Sequence, residues 1–173
     1  MIRAFISIPI PDEVKKEVLR IQKQLPKFEG KLTEESNLHL TLKFLGEIDE
    51  KKLKEVEETL SKIKFGAFES QFFNLGVFDK NQIRIIWIYL KDCKQLQERV
   101  DDSLKSLFKP EKKFMSHLTI ARVKNVTNKN LFLGELDRIR LPRAKFVVNK
   151  FYLMKSELKP KGPVYSVIEE FNL

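Results

Sequence analysis

Asn37-Leu38-His39-Leu40-Thr41-Leu42 and Met115-Ser116-His117-Leu118-Thr119-Ile120 are nearly the same word written twice, 78 residues apart, and they hold the chain's only two histidines. Given one such word, a second histidine followed by Leu, Thr and an aliphatic residue arises by chance on the order of once in a thousand. In a strand, residues i and i+2 point to one side and i+1 and i+3 to the other. His39 and Thr41 therefore share one face while Leu40 and Leu42 enter the core. His117 and Thr119 do the same, with Leu118 and Ile120 behind them. Each strand offers an imidazole and a hydroxyl about 7 Å apart along the backbone. Set side by side across a pseudo-two-fold axis, two such strands enclose a space that fits a phosphate.

A lone strand histidine is ordinarily a structural residue, but the repeated word changes that weighting. Two histidines near neutrality can serve as general acid and general base in one reaction. This suits phosphodiester chemistry, where one oxygen gains a proton as another loses one. Threonine hydroxyls can donate to non-bridging phosphate oxygens as charge gathers in the transition state. No metal is expected: two histidines without an organised carboxylate or cysteine set make a poor zinc site, and neither His-Glu-x-x-His nor an EF-hand pattern occurs.

Outward from the two words, residues 2–9 alternate as an opening strand, with Ile2, Ala4, Ile6 and Ile8 on one face. A helix follows from Pro11 and Asp12, with Val14, Val18, Ile21 and Leu25 as its apolar stripe and Pro26 at its end. Glu29 to Asn37 reads as a polar link. The first motif strand runs from Leu38 to Leu45 and breaks at Gly46; Asp49 then caps a helix with the stripe Leu53, Val56, Leu60 and Ile63. Residues 65–90 read as a hairpin turning at Asp79-Lys80-Asn81. Asp92 opens a third helix carrying Cys93, Leu96, Val100, Leu104 and Leu107, and Ser116 to Val123 is the second motif strand. After an irregular or briefly helical stretch come two strands, about 145–158 and 164–171, around the turn Lys159-Pro160-Lys161-Gly162-Pro163. This order predicts an α+β protein with helices packed outside antiparallel sheet.

The 173 residues, 42% hydrophobic and 33% charged, describe one globular domain, read as 1–173 and made of two lobes. No run approaches the roughly 18 apolar residues of a membrane span, and the opening run is too short for a secretory signal. With Cys93 as the only cysteine, no internal disulfide can form, and a reducing cytoplasm fits best. The net charge is +9, and residues 91–173 carry 18 Lys/Arg against 10 Asp/Glu. The run from Lys105 to Lys145 alone has 11 Lys/Arg against three acids. Such an excess suits a polyanionic partner, and equally a solvated or heat-stable surface.

The words His39-Leu40-Thr41-Leu42-Lys43-Phe44-Leu45-Gly46-Glu47 and His117-Leu118-Thr119-Ile120-Ala121-Arg122, with the opening Arg3-Ala4-Phe5-Ile6-Ser7-Ile8 and the closing Tyr165-Ser166-Val167-Ile168, carry a resemblance over nearly the whole chain. The sequence resembles the 2H phosphoesterase superfamily, specifically the RNA 2′,3′-cyclic phosphodiesterases also called 2′-5′ RNA ligases (the LigT/ThpR group). The resemblance implies a bilobal, pseudo-two-fold fold, with antiparallel sheets facing a central cleft and helices outside. It implies hydrolysis of a terminal 2′,3′-cyclic phosphate on RNA to a 2′-phosphomonoester, without cofactor. His39 would be the proton donor to the leaving 3′ oxygen, His117 the acceptor that activates water, and Thr41 and Thr119 the phosphate holders. Family members also run the related chemistry backward, joining a cyclic phosphate end to a 5′-hydroxyl in a 2′-5′ linkage without ATP. The chain agrees in lacking both a Gly-x-x-x-x-Gly-Lys loop and a Lys-x-Asp-Gly word.

Three more positions are candidates. Arg122 matches an arginine the family uses near the phosphate, yet strand parity sets it opposite His117 unless the strand ends or bulges. Lys43 has the parity of His39 and Thr41 and is a candidate cleft cation. Phe5 is a candidate for stacking a terminal base, against core packing as the commoner role of a Phe. The expected partner is RNA with a cyclic phosphate end, tRNA fragments among the candidates, acted on by a monomer with no membrane association. Rival readings keep the chemistry on 2′-5′-linked oligonucleotides or a small cyclic nucleotide, or reduce the chain to a non-catalytic RNA-binding module.

Overall fold

A computed structural model describes residues 1–160 and 162–173; Lys161 of the expected final turn lies outside them. The chain runs β1 (Ile2–Pro9), α1 (Asp12–Gln22), β2 (Glu29–Leu32), β3 (His39–Ile48), α2 (Glu50–Leu60), β4 (Phe68–Val77), β5 (Ile85–Leu90), α3 (Lys94–Ser103), β6 (His117–Asn125), α4 (Lys129–Leu136), β7 (Lys145–Val148), β8 (Lys150–Lys159) and β9 (Gly162–Asn172). Among the described residues no helix is long and apolar enough to cross a membrane.

The strand pairs among the described residues are antiparallel, and the strands join in the order β7-β4-β5-β6-β3-β1-β8-β9, with β2 alongside β6. The sheet reads the same from either end: four strands, then four, with the two motif strands β6 and β3 in the middle. Those two touch in register at Leu40 and Leu118 alone, and β2 takes up the edge of β6 beyond that point. The halves therefore diverge from the Leu40–Leu118 pair, which opens a cleft on the face away from these leucines. The architecture is α+β and bilobal, with a pseudo-two-fold axis through the central pair.

The halves are not the two ends of the sequence. After α2 the chain crosses over, so β4 pairs β5 in the second half, and after β7 it crosses back, so β8 pairs β1 in the first. The helices cross too: α1 packs on β6 and α3 on β3. Their stripes, Val14, Val18 and Ile21 in α1 and Leu96 and Val100 in α3, bury against Leu40, Leu42, Leu118 and Ile120 in one core shared by both halves. Apolar burial at roughly 25 cal/mol per Å² makes that shared core the chief support of the cleft.

Several boundaries differ from the sequence expectation for local reasons. The stretch 145–158 is two strands, because the chain leaves β4 and joins β1 across Asn149. Glu29–Leu32 forms β2 although none of its side chains is buried, since its backbone pairs with β6. A Cβ on Gly30 would lie 2.2 Å from the Arg122 carbonyl oxygen, so only glycine fits that approach. Gly46 does not end β3; it takes φ 73° beside a register shift, and the strand continues to Ile48. Helix α1 closes at Gln22, before Leu25. Asp92 does not cap α3 but turns the chain into it with φ 65°, a left-handed conformation that Asp tolerates. Asp49 caps α2 as its position suggests, accepting from the Lys52 N–H at 2.8 Å. The hairpin turn is held by Asp79 Oδ1, which accepts from the Asn81 N–H at 2.8 Å.

Candidate active site

The antiparallel register through Leu40 and Leu118 sets His39 across from Thr119 and Thr41 across from His117, all four on the cleft face. The two histidines stand on the diagonal of this quadrilateral. Both are half-buried. The His39 Nδ1 lies 2.7 Å from the Asn37 carbonyl oxygen and the His117 Nδ1 lies 2.8 Å from the Met115 carbonyl oxygen. A carbonyl only accepts, so each Nδ1 carries the proton and donates it, and each neutral ring keeps its lone pair on Nε2. The Thr41 hydroxyl, 3.1 Å from the His39 Nε2, then donates to it.

Both strands bulge one residue after their threonine. Thr41 pairs with Ser7 and Lys43 with Ile6, leaving Leu42 extra; Thr119 pairs with Trp87 and Ala121 with Ile86, leaving Ile120 extra. Each bulge reverses the alternation. Arg122 consequently comes round to the histidine face, and its charge acts on both imidazoles. The same reversal corrects the reading of Lys43: it points into the core, 3% exposed, with Nζ donating to the Asp101 carboxylate and, at 2.8 Å, to the Lys109 carbonyl. Lys43 is no cleft residue; Phe44, 69% exposed, takes the place that Arg122 has on the other strand.

The bulges are held by polar groups from the crossed helices. Gln22, at the end of the α1 stripe, donates from Nε2 to the carbonyls of Ile120 and Thr33 at 2.8 and 2.9 Å. Asp101, at the matching place in α3, binds Lys43 and accepts from the Glu111 N–H at 2.7 Å. The sequence reading passed over both; the available signal was a polar residue directly after Ile21 and after Val100, inside an otherwise apolar stripe.

Aromatic rings flank the imidazoles. His39 packs between Phe5 and Tyr165, with ring centroids 4.9 and 5.1 Å away. Phe5 is 3% exposed, so it supports the imidazole from inside rather than offering a face to a base. His117 meets Phe78 edge-on at 4.9 Å, a neighbour that the hairpin reading did not assign to the site. Burial holds the His39 pKa down to about 4, helped by Arg122 and His117 and opposed by the Asn37 carbonyl. Burial also lowers that of His117, with Arg122 adding to the effect and Met115 opposing it. The open cleft thus holds two neutral imidazoles with the Arg122 charge acting on both, a setting that favours an anion. Among the described residues no group of three or more His, Cys, Asp or Glu side chains could hold a metal ion.

Two pseudo-symmetric halves meeting at a pair of His-x-Thr strands define the class of 2H phosphoesterases. The profile of the family described as LigT like Phosphoesterase matches residues 8–87 and 90–165, and the chain belongs to that family. It is similar to the RNA 2′,3′-cyclic phosphodiesterase of Methanocaldococcus jannaschii, 37% identical over 98% of this chain and 99% of that one. The protein of the same name from Archaeoglobus fulgidus is 36% identical, with the same coverage. A crystal structure from Thermus thermophilus superposes with TM-score 0.82 at 28% identity, covering 99% of this chain and 97% of the other.

Proposed function

We propose that this chain is an RNA 2′,3′-cyclic phosphodiesterase that opens the terminal cyclic phosphate to a 2′-phosphomonoester. The observation that carries the reading is the Leu40–Leu118 register, which faces His39, Thr41, His117 and Thr119 into one cleft. The names of the two relatives at 36–37% identity support the substrate. Those names give no support to 2′-5′-linked oligonucleotides or a small cyclic nucleotide as the substrate.

In this mechanism the His117 Nε2 takes a proton from water as its oxygen bonds to phosphorus. The P–O3′ bond breaks, and the protonated Nε2 of His39 gives its proton to the leaving 3′ oxygen. One water is consumed and the two imidazoles exchange protonation states, which solvent restores. His39 is neutral in the open cleft, so the bound phosphate must draw the proton on; its negative charge favours the imidazolium and opposes the burial that holds the pKa down. Once the His39 Nε2 is protonated, the Thr41 hydroxyl no longer donates to it and turns its proton to a phosphate oxygen. Thr119 donates to a phosphate oxygen from the opposite strand, and Arg122 neutralises the second non-bridging oxygen. With a 5′-hydroxyl in place of water, the same groups act in the same direction: His117 takes the hydroxyl proton as O5′ bonds to phosphorus, P–O3′ breaks with a proton from His39, and a 2′-5′ linkage forms without ATP.

We read residues 1–173 as one domain of two lobes, acting as a monomer in the cytoplasm, with tRNA fragments among its RNA substrates. The shared core supports the first point, and the buried, unpaired thiol of Cys93 fits a reducing compartment. His39→Ala and His117→Ala should each lower kcat by about 10²–10⁴ on an RNA with a cyclic phosphate end, with RNA affinity little changed. A double variant no slower than either single one is expected of a pair acting as a unit. Near-native turnover by either single variant would overturn the assignment.

A further inference from the structure

The second half of the sheet carries aromatic side chains on the cleft face that the hydrolytic chemistry does not use. Tyr89 is paired directly with His117, so the two share that face, and Trp87 stands likewise beside Thr119. The Phe78 ring lies 5.8 Å from Trp87 and 4.9 Å from His117, and Phe78 is 51% exposed. One strand further out, Phe73 sits at the register shift between Phe72 and Asn74, where the extra residue turns its side chain outward. Phe73 is 58% exposed, its ring stands 6.1 Å from Tyr89 at 67°, and the Lys91 Nζ lies 4.3 Å from its centroid.

In the first half the exposed ring is Phe44, which stands 6.2 Å from Phe5. There Phe5 and Tyr165 spend their ring faces packing His39, and Phe5 is buried. Along β4, Phe78 follows the Val77–Ile86 pair, and Phe73 lies between the Asn74–Tyr89 and Phe72–Leu90 pairs, so the two stations are separated along the strand. Phe78, against His117, would adjoin a nucleoside whose phosphate lay between the imidazoles. Phe73 is too far out to serve that nucleoside; Lys91 covers one face of its ring, and the 58% exposure leaves the rest of the ring open to solvent. An aromatic ring beside a lysine is the combination that holds single-stranded nucleic acid, the ring by stacking on any base and the cation by drawing the phosphate backbone.

Resting on the RNA-end reading above, we infer that Phe73, with Lys91 and Tyr89, is a stacking station for the nucleobase preceding the one that bears the cyclic phosphate. The occupant is an RNA chain of at least two nucleotides. The station favours polymer ends over free mononucleotides, and the stacking tolerates any base.

The test compares kcat/KM for a short oligoribonucleotide ending in 2′,3′-cyclic phosphate with that for a mononucleoside 2′,3′-cyclic phosphate. The wild-type protein should prefer the oligonucleotide. Phe73→Ala should cut kcat/KM on the oligonucleotide about tenfold and leave the mononucleotide unchanged. Phe73→Trp should keep the preference, and Lys91→Ala should weaken the salt dependence of the oligonucleotide reaction alone. Equal loss on both substrates by Phe73→Ala, or no loss on the oligonucleotide, would overturn the station while leaving the RNA-end reading intact. Absence of wild-type turnover on both substrates would overturn that reading, and the station with it.

Discussion

The Nδ1 of each histidine faces a carbonyl two residues upstream, Asn37 for His39 and Met115 for His117, so one local geometry fixes the same tautomer twice. What differs is the surroundings: His39 has rings on two sides and a pKa held down to about 4. Lowered imidazole pKa values also tie stability to pH. Between the ordinary value of about 6.5 and the folded value, the unfolded chain binds protons that the folded chain refuses, so stability falls as pH drops through that window. Thermal denaturation from pH 7 to pH 4 should show this loss, and His39→Leu should flatten it; an unchanged slope would contradict the burial account of His39. Inorganic phosphate in the cleft should move the His39 titration, followed by NMR, upward toward neutrality. The pairing of these two residues was legible in the sequence, because rarity and repetition do not depend on the fold. Their unequal environments were not, since Tyr165 of β9 and Phe78, just past the end of β4, arrive from parts of the chain far from the histidines they meet.

At the scale of elements, the two bulges decide which residues reach the cleft. Alternation alone assigned Lys43 to the histidine face and Arg122 to the opposite one, and one extra residue in each strand exchanged those assignments. The hydropathy pattern held the clue: Leu42 and Ile120 are followed by Lys43 and Ala121, then by Phe44 and Arg122, and a lysine inside a core needs partners, which Asp101 of α3 and the Lys109 carbonyl supply. A buried pair of this kind is costly to break by halves. Lys43→Met should destabilise the fold by about 3–5 kcal/mol, because it strands the Asp101 carboxylate, and Lys43→Met with Asp101→Leu should recover most of the loss. Urea denaturation of the single and double variants checks this. A single variant as stable as the wild type would show that the pair does not hold the bulge.

In the whole molecule, two repeats exchange strands and helices across one sheet, so the cleft is supported from both ends of the chain. The count of strands and helices and the antiparallel class were close to legible, because each rests on local periodicity. The exchange of β4 and β8 was not, since nothing local to a strand says which neighbour it takes. Residues 145–153 carried a partial signal: the buried set passes from Phe146 and Val148 to Phe151 and Leu153, a change of parity that marks the break at Asn149. The +9 charge bears on encounter with RNA rather than on the fold. Cleavage of an oligoribonucleotide should therefore slow as salt rises, more steeply than cleavage of a mononucleotide, in measurements of kcat/KM from about 50 to 200 mM salt. Parallel slopes would remove the basic surface from substrate capture. The central claim is a metal-independent, two-histidine opening of the cyclic phosphate, and it is tested most directly by identifying the product formed in EDTA from an RNA ending in 2′,3′-cyclic phosphate. The account predicts complete conversion to the 2′-phosphomonoester by the wild-type protein; a 3′-phosphate product, or an end left cyclic, would contradict it.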